Sequence, residues 1–283
     1  MRRPHPQRGF TLIEAIVVIV VLGIVASMVA VFIRMPVLGY RDSANRAELA
    51  DIADLTLRRM GREIRLALPN SINVINNGQG VQFLMTKSGG RYLATADGVG
   101  TGQTALDAGA NQFTVVSDMP TGSQAIAAND IIVVGNYGIG YTPGDAYSYG
   151  AGAATNAARV TGVNGNTVLL AANPFAANPS VLMEGSRFFV VTSTVWYVCT
   201  AGVRGSGTLT RYETTGIAPM GAPAGAVVGR PLAQRVNGCN FDYTAFANLA
   251  NSGLVSLSLT LQMPTGDDPP VALTHQINVM NSP

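Results

Sequence analysis

From Phe10 to Ile33 the chain carries a single ionisable side chain, Glu14, in an otherwise apolar run. A membrane-crossing helix needs about 20 predominantly apolar residues at a rise of ~1.5 Å each, and this run is long enough. It ends at Arg34-Met35-Pro36. Pro36 lacks an amide donor and is expected to kink or interrupt the helix, with Gly23 a second weak point inside the run. Helical patterning resumes beyond it. Between Asp42 and Leu68, Leu49, Ala53, Leu57, Met60, Ile64 and Leu68 recur at three- and four-residue steps and form one apolar stripe. Arg46, Asp54, Arg58, Arg62 and Arg65 fall mostly off that stripe, and Pro69-Asn70 is the expected stop. The pattern predicts one long helix, apolar all round in its first half and amphipathic in its second. The second half must lie against a folded domain.

After Asn70 the period changes. Short runs of Val, Ile, Phe, Tyr and Thr alternate with Gly, Asn and Pro, which predicts β-strands. The expected strands are Val81–Met85, Gln112–Val116, Ile131–Val134, Arg159–Val163, Thr167–Leu170, Phe188–Thr192, Val195–Cys199, Leu209–Tyr212, Asn240–Tyr243, Leu254–Gln262 and Val271–Val279. Asn164-Gly165 marks a hairpin, and the last two runs read as a terminal antiparallel pair. Residues 135–158, rich in Gly, Tyr and Ala, read as a long surface loop, and Ala171–Pro179 as a second. The fold class is α+β: a long N-terminal helix with an antiparallel β-sheet domain. The expected divisions are a leader at 1–9, an apolar helix at 10–33, its amphipathic continuation at 34–69 and a β-rich head at 70–283.

The chemistry that stands out lies at the start. Arg2, Arg3 and Arg8 lead into Gly9-Phe10-Thr11-Leu12-Ile13-Glu14. A carboxylate inside a membrane-length run costs roughly 2.5–3.5 kcal/mol even on mild insertion scales, so Glu14 calls for a compensating positive partner. A secretory signal peptide has a shorter apolar core and a small-x-small cleavage site. A plain signal anchor needs neither Glu14 nor the Gly-Phe junction.

These residues resemble the processing site of type IV prepilins and type II secretion pseudopilins, in which a basic leader ending in Gly precedes Phe-Thr-Leu-(apolar)-Glu and an apolar helix. The resemblance implies that a membrane-embedded prepilin peptidase cuts between Gly9 and Phe10 and that the new Phe10 amine is N-methylated. It also implies that Glu14 pairs with the N-terminal amine of a neighbouring subunit during assembly. A new cation at a helix start is unfavourable beside the positive end of the macrodipole, so a nearby carboxylate would offset it. The implied location is the bacterial inner membrane, single-pass with a periplasmic head, and a pilus or pseudopilus after assembly. The implied partners are the peptidase and other pilin or pseudopilin subunits.

The resemblance extends further along the chain. Leu57–Ser71, Arg187-Phe188-Phe189-Val190-Val191, Trp196-Tyr197-Val198-Cys199, Gly207-Thr208-Leu209-Thr210-Arg211-Tyr212 and His275-Gln276-Ile277-Asn278-Val279 look like the O-type minor pilins of the mannose-sensitive haemagglutinin pilus system. Leu57–Ser71 also looks like the J-type pseudopilins of type II secretion. A head this large, with long loops, fits a minor subunit better than a tightly tiled shaft subunit. The expected function is therefore that of a non-catalytic minor subunit in fibre initiation or at the tip. A secretion pseudopilin, or a tip adhesin for a surface or glycan, is the alternative.

Charge and cysteine usage narrow the choices. Without the three leader arginines, the 18 basic residues fall to 15 against 16 acidic, so the mature chain has no basic footprint for nucleic acid. An anchor that sends the head across a membrane places Cys199 and Cys239 where disulfides form. A Cys199–Cys239 bridge is expected, with two separate buried thiols as the alternative. Zinc is disfavoured, because two cysteines and His275 are too few for a usual four-ligand site.

The residue inventory does not support an enzyme or a cofactor. His5 lies in the leader, His275 is the other histidine, and neither a nucleophile elbow nor a phosphate loop is present. Asp267 and Asp268 could serve as oxygen ligands for calcium but match no calcium-loop spacing, and a solvated hairpin tip is the simpler expectation. Arg58, Arg59, Arg62 and Arg65 could meet phosphate lipids, or pair with Asp54, Glu63 and partner subunits. Tyr137, Tyr141, Tyr147 and Tyr149 either form an adaptable binding surface or pack down on the sheet.

Overall fold

A computed structural model describes residues 9–153, 156–182, 185–245, 252–264 and 269–282. Helix α1 spans Leu12–Ile64. The chain divides into two compact units within it, one up to Glu48 and one from Leu49 onward. Of the two outcomes expected at Pro36, a kink or an interruption, the interruption does not occur, since α1 is continuous through that residue. A proline in a helix forfeits one backbone hydrogen bond, and several helical turns on either side hold the segment in register.

The strands follow as β1 (Asn73–Ile75), β2 (Gly80–Arg91), β3 (Gln112–Thr114) and β4 (Ile131–Val133). After a one-turn helix, α2 (Tyr147–Gly150), come β5 (Ala157–Asn164), β6 (Thr167–Leu170), β7 (Arg187–Thr200), β8 (Gly207–Thr215), β9 (Gly229–Ala245), β10 (Ser252–Leu261) and β11 (Val271–Met280). All pairings are antiparallel. The long strand β7 organises the sheet. One of its edges carries β2 along its length. The other pairs first with β4 at Phe189–Val191 and then with β8 at Ser193–Thr200. Two arms therefore leave that edge, β4-β5-β6-β3 and β8-β9-β10-β11.

The amphipathic stripe explains why the helix docks. Leu49, Ala53, Leu57, Met60 and Ile64 are all at most 1% exposed and share one core with Phe83, Tyr197, Leu209, Phe241, Leu257 and Ile277. Gly61 is part of the same design. A Cβ there would lie 3.3 Å from Ile277 Cδ1, so the missing side chain lets α1 close onto β11. A second core fills the β4-β5-β6-β3 arm, where Phe113 and Phe188 meet edge to face with centroids 5.4 Å apart.

Several element bounds differ from the sequence expectation. The helix stops at Ile64, short of Pro69. The backbone tightens, with the Leu66 amide donating to Glu63 O at 3.0 Å, and then turns to β2, where the Leu68 amide donates to Leu84 O at 2.8 Å. Pairing with a strand therefore ends the helix before the proline can. The runs 188–192 and 195–199 are one strand, because Ser193 and Thr194 continue β7 with their hydroxyls bonded to Glu213 and to Gly216 O. The β5–β6 hairpin turns on Gly165-Asn166, with Asn164 opposite Thr167 and Gly165 at φ 59°. That left-handed conformation suits glycine.

The stretch 135–158 is less of a surface loop than its composition suggests. Asn136, Ala146 and Asn156 are buried. Asn136 Nδ2 donates to Pro69 O at 2.6 Å, and its Oδ1 accepts from the Ala146 amide at 2.9 Å. The segment thus braces the turn where the chain leaves α1.

Candidate assembly site

The candidate site lies in the first helical turns of the chain. Leu12 opens α1, and Thr11 stands just before it. The Thr11 carbonyl accepts from the Glu14 and Ala15 amides at 3.1 and 3.2 Å. Its hydroxyl accepts from the Glu14 amide at 3.4 Å. Thr11 is therefore the N-cap, and Glu14 is the third helical residue. Thr-x-x-Glu is the capping-box pattern, and an acidic group in the first turn also complements the positive helix end. The bonds to Thr11 come from the Glu14 amide and not from its carboxylate, so the structure shows the position of Glu14 at the helix start and not a completed capping box. Gly9 has no heavy atom within 4 Å of a built Cβ, and Phe10 is 77% exposed.

Beyond Glu14 the surface is apolar. Large apolar side chains from Leu12 to Ile33 are 44–84% exposed. Soluble monomers rarely present so large a contiguous apolar surface. Ser27 adds little polarity, since its hydroxyl donates to Ile24 O at 2.7 Å within the helix. The helix is long and apolar enough to cross a membrane.

The head supplies the other candidate residues. Cys199 and Cys239 are joined, with S–S 2.03 Å and Cα–Cα 6.2 Å, linking β7 to β9. Asp267 and Asp268 lie outside the described residues. His275 Nε2 stands 3.8 Å from Asp54 Oδ1, and Arg58 Nε donates to Asp54 Oδ2 at 2.7 Å. Among the described residues, no group of three His, Cys, Asp or Glu side chains could hold a metal. The four loop tyrosines separate. Tyr147 is buried and donates to Ser71 O at 2.7 Å, Tyr149 packs against the core, and Tyr137 donates to Ser180 O at 2.6 Å. Tyr141 stands out at 66% exposure.

Glu63 pairs with a helix arginine as the sequence expects, with Arg59 Nε 3.5 Å from its Oε1, but it also belongs to a charged cluster with the sheet that the sequence did not reveal. Glu63 Oε2 accepts from Tyr197 Oη at 2.6 Å and from Arg211 Nε at 2.7 Å. Arg211 also donates to Glu213 Oε2 at 2.7 Å, and Ser193 donates to Glu213 Oε1 at 2.8 Å. Burial, with the Glu63 hydrogen bond and charge, lifts Tyr197 far above the usual tyrosine range. Burial alone would lower Arg211, but its bonds to Glu213 and Glu63 raise it. Burial alone would raise Glu213, but bonds from Arg211 and Ser193 hold it below the ordinary carboxylate range. Each carboxylate accepts from groups of the sheet, so the cluster serves to hold the helix in place. Glu63 lies 134 and 148 residues from its partners, a separation at which no local pattern announces the contact.

Residues 4–30 match the family model for the prokaryotic N-terminal methylation motif. No curated protein and no solved structure matches the chain. The motif supports a type IV pilin- or pseudopilin-like protein, a structural subunit that prepilin peptidase processes and that assembles with other pilins. The apolar helix and the motif together fit a membrane-anchored protein of that kind.

Proposed function

We propose that this chain is a non-catalytic minor subunit of a type IV pilus of the mannose-sensitive haemagglutinin kind, acting in fibre initiation or at the tip. The observation that carries this is the methylation motif at 4–30, which takes in most of an exposed apolar helical segment with Glu14 in its first turn. In this account residues 1–9 are removed as a leader. Residues 10–33 anchor the chain in the inner membrane and later enter the filament core, residues 34–69 carry the helix on to its end at Ile64 and the turn into the sheet, and residues 70–283 form a periplasmic head. Phe10 becomes the methylated N-terminus. Glu14 sets register against the amine of the adjacent subunit, because an amine and a carboxylate that both leave water need each other.

The head supports the minor role. The β4-β5-β6-β3 arm is a second β module built onto β7 with its own core, and such bulk suits a tip better than a repeating shaft. The Cys199–Cys239 bridge supports an oxidising compartment for the head. A J-type secretion pseudopilin remains the second reading, favoured by Leu57–Ser71. Identifying co-purified subunits separates the two. A glycan-binding tip has less support, since three of the four loop tyrosines are packed or hydrogen-bonded within the fold.

The processing step is tested by Gly9→Val. A β-branched residue at the scissile bond blocks peptidase access, and full-length precursor should accumulate in the membrane with its head folded. Normal accumulation of protein beginning at Phe10 would overturn the proposal.

A further inference from the structure

The outer strand β11 ends the second arm and pairs over all ten of its residues with β10, without a bulge. Among the described residues its other edge has no strand partner. Proteins usually protect such an edge with lysine, proline, inward charge or a bulge, because its unpaired amides and carbonyls template another strand. The sequence VALTHQINVM holds no Lys, Pro, Asp or Glu. A long, regular, uncharged edge left open is the geometry that β-strand addition uses.

The surroundings of that edge are basic. A cavity of about 400 Å³ runs between α1 and β11, lined by Arg58, Arg62, Arg65, His275 and Ile277. A larger one of about 880 Å³ continues past Arg65 along Asn278 and Met280 to Arg91 and Arg187. Asp54 is engaged by Arg58, and Lys87 by Asp130 at 2.7 Å. Asp118 is the acidic side chain lining the larger cavity. Arg62 and Arg65 are exposed, and among the described residues they have no ion-pair partner.

We infer that the β11 edge is a docking site for an extended, acidic segment of a different subunit of the same fibre. The segment adds as a strand beside β11, and its carboxylates meet Arg62 and Arg65. Backbone pairing supplies affinity, and the arginines select the partner. A second copy of this chain is disfavoured as the occupant, because pairing two β11 edges would bring two sets of unpaired arginines together. The inference rests on the subunit reading above. It deepens that reading by giving the partner a chemistry and the contact a place.

The test uses the full chain in cells that produce it with its neighbouring fibre subunits. A benzophenone amino acid replaces Asn278, which is exposed on β11, and in a control replaces Val163, which is paired within β5–β6. Mass spectrometry should place the Asn278 crosslink on an acidic, extended segment of another subunit carrying the methylation motif, and the Val163 probe should not reach that segment. Arg62→Glu with Arg65→Glu should reduce the crosslink about tenfold or more, while Arg62→Lys with Arg65→Lys should retain most of it. High salt should weaken it in the otherwise unaltered chain, a readout that does not depend on how the variants fold. Crosslinks to β11 of a second copy, to lipid or to a segment without acidic residues would overturn the inference. So would a yield no higher than the Val163 control, or a yield indifferent to salt and charge. Failure of Gly9 processing would remove the subunit reading itself, whereas normal processing with no Asn278 crosslink removes only the docking edge.

Discussion

Replacing Glu14 should stop assembly without harming insertion or the head, and Gln should be nearly as damaging as Ala. The structure makes this comparison informative, because Glu14 has two possible uses. As the third helical residue after the Thr11 cap it can support the helix start. A capping box accepts Gln in place of Glu, and the charge adds only about 0.3–1 kcal/mol through the helix dipole. If capping were its whole purpose, Glu14→Gln would behave as wild type. If the carboxylate neutralises the Phe10 amine of a neighbour, both substitutions leave a buried cation unpaired. Losing one partner of a buried hydrogen-bonded charge pair costs about 2–5 kcal/mol, which at ~1.4 kcal/mol per decade is tenfold or more in assembly. Membrane insertion should be at least as good as wild type, because a costly carboxylate is gone. Fibre number and crosslinking to partner pilins are the readouts. Wild-type assembly of Glu14→Gln would remove the carboxylate charge from the assembly mechanism.

The second large effect concerns the head. Cys239→Ser should lower its stability by about 2–5 kcal/mol, since the bridge closes a loop of 40 residues and the chain-entropy model values such a closure at ~4 kcal/mol. The bridge ties β7, on which both arms depend, to β9. Loosening it should therefore lower the denaturation midpoint of the main core while leaving processing at Gly9 unchanged. Urea denaturation of the oxidised protein and of the variant gives the difference. Equal midpoints would mean that the strand pairing alone fixes β7 against β9.

How much of this was legible depended on whether the information was local. The stripe from Leu49 to Ile64 was readable because one helix face is buried along its whole length. The β10–β11 pair was readable because a sheet with one solvated face imposes alternation, visible as Ser256, Ser258 and Thr260 between buried Val255, Leu257, Leu259 and Leu261. The strand β9 is legible in the sequence only over Asn240–Tyr243. Gly229, Pro231 and Gly238 lie inside it and look like turn residues, yet Pro231 sits opposite Thr210 beside a register shift, where a ladder bond can be spared. Gly89 and Gly90 hid the end of β2 in the same way. The three-residue β1 is too short to carry a period. At the candidate assembly end the motif residues are plain in the sequence, but the Thr11 N-cap is visible only with the backbone in place. The Glu63–Tyr197–Arg211 cluster had no local trace, because its members come together only when the helix lies on β7 and β8.

The central claim is that the chain works from a new N-terminus at Phe10. The most direct measurement is the intact mass, with N-terminal fragmentation, of the unaltered protein recovered from bacterial membranes. The account predicts a chain that begins at Phe10, carries one added methyl group on its α-amine and retains the Cys199–Cys239 bridge. A chain beginning at Met1, or cleaved at any bond other than Gly9–Phe10, would contradict it.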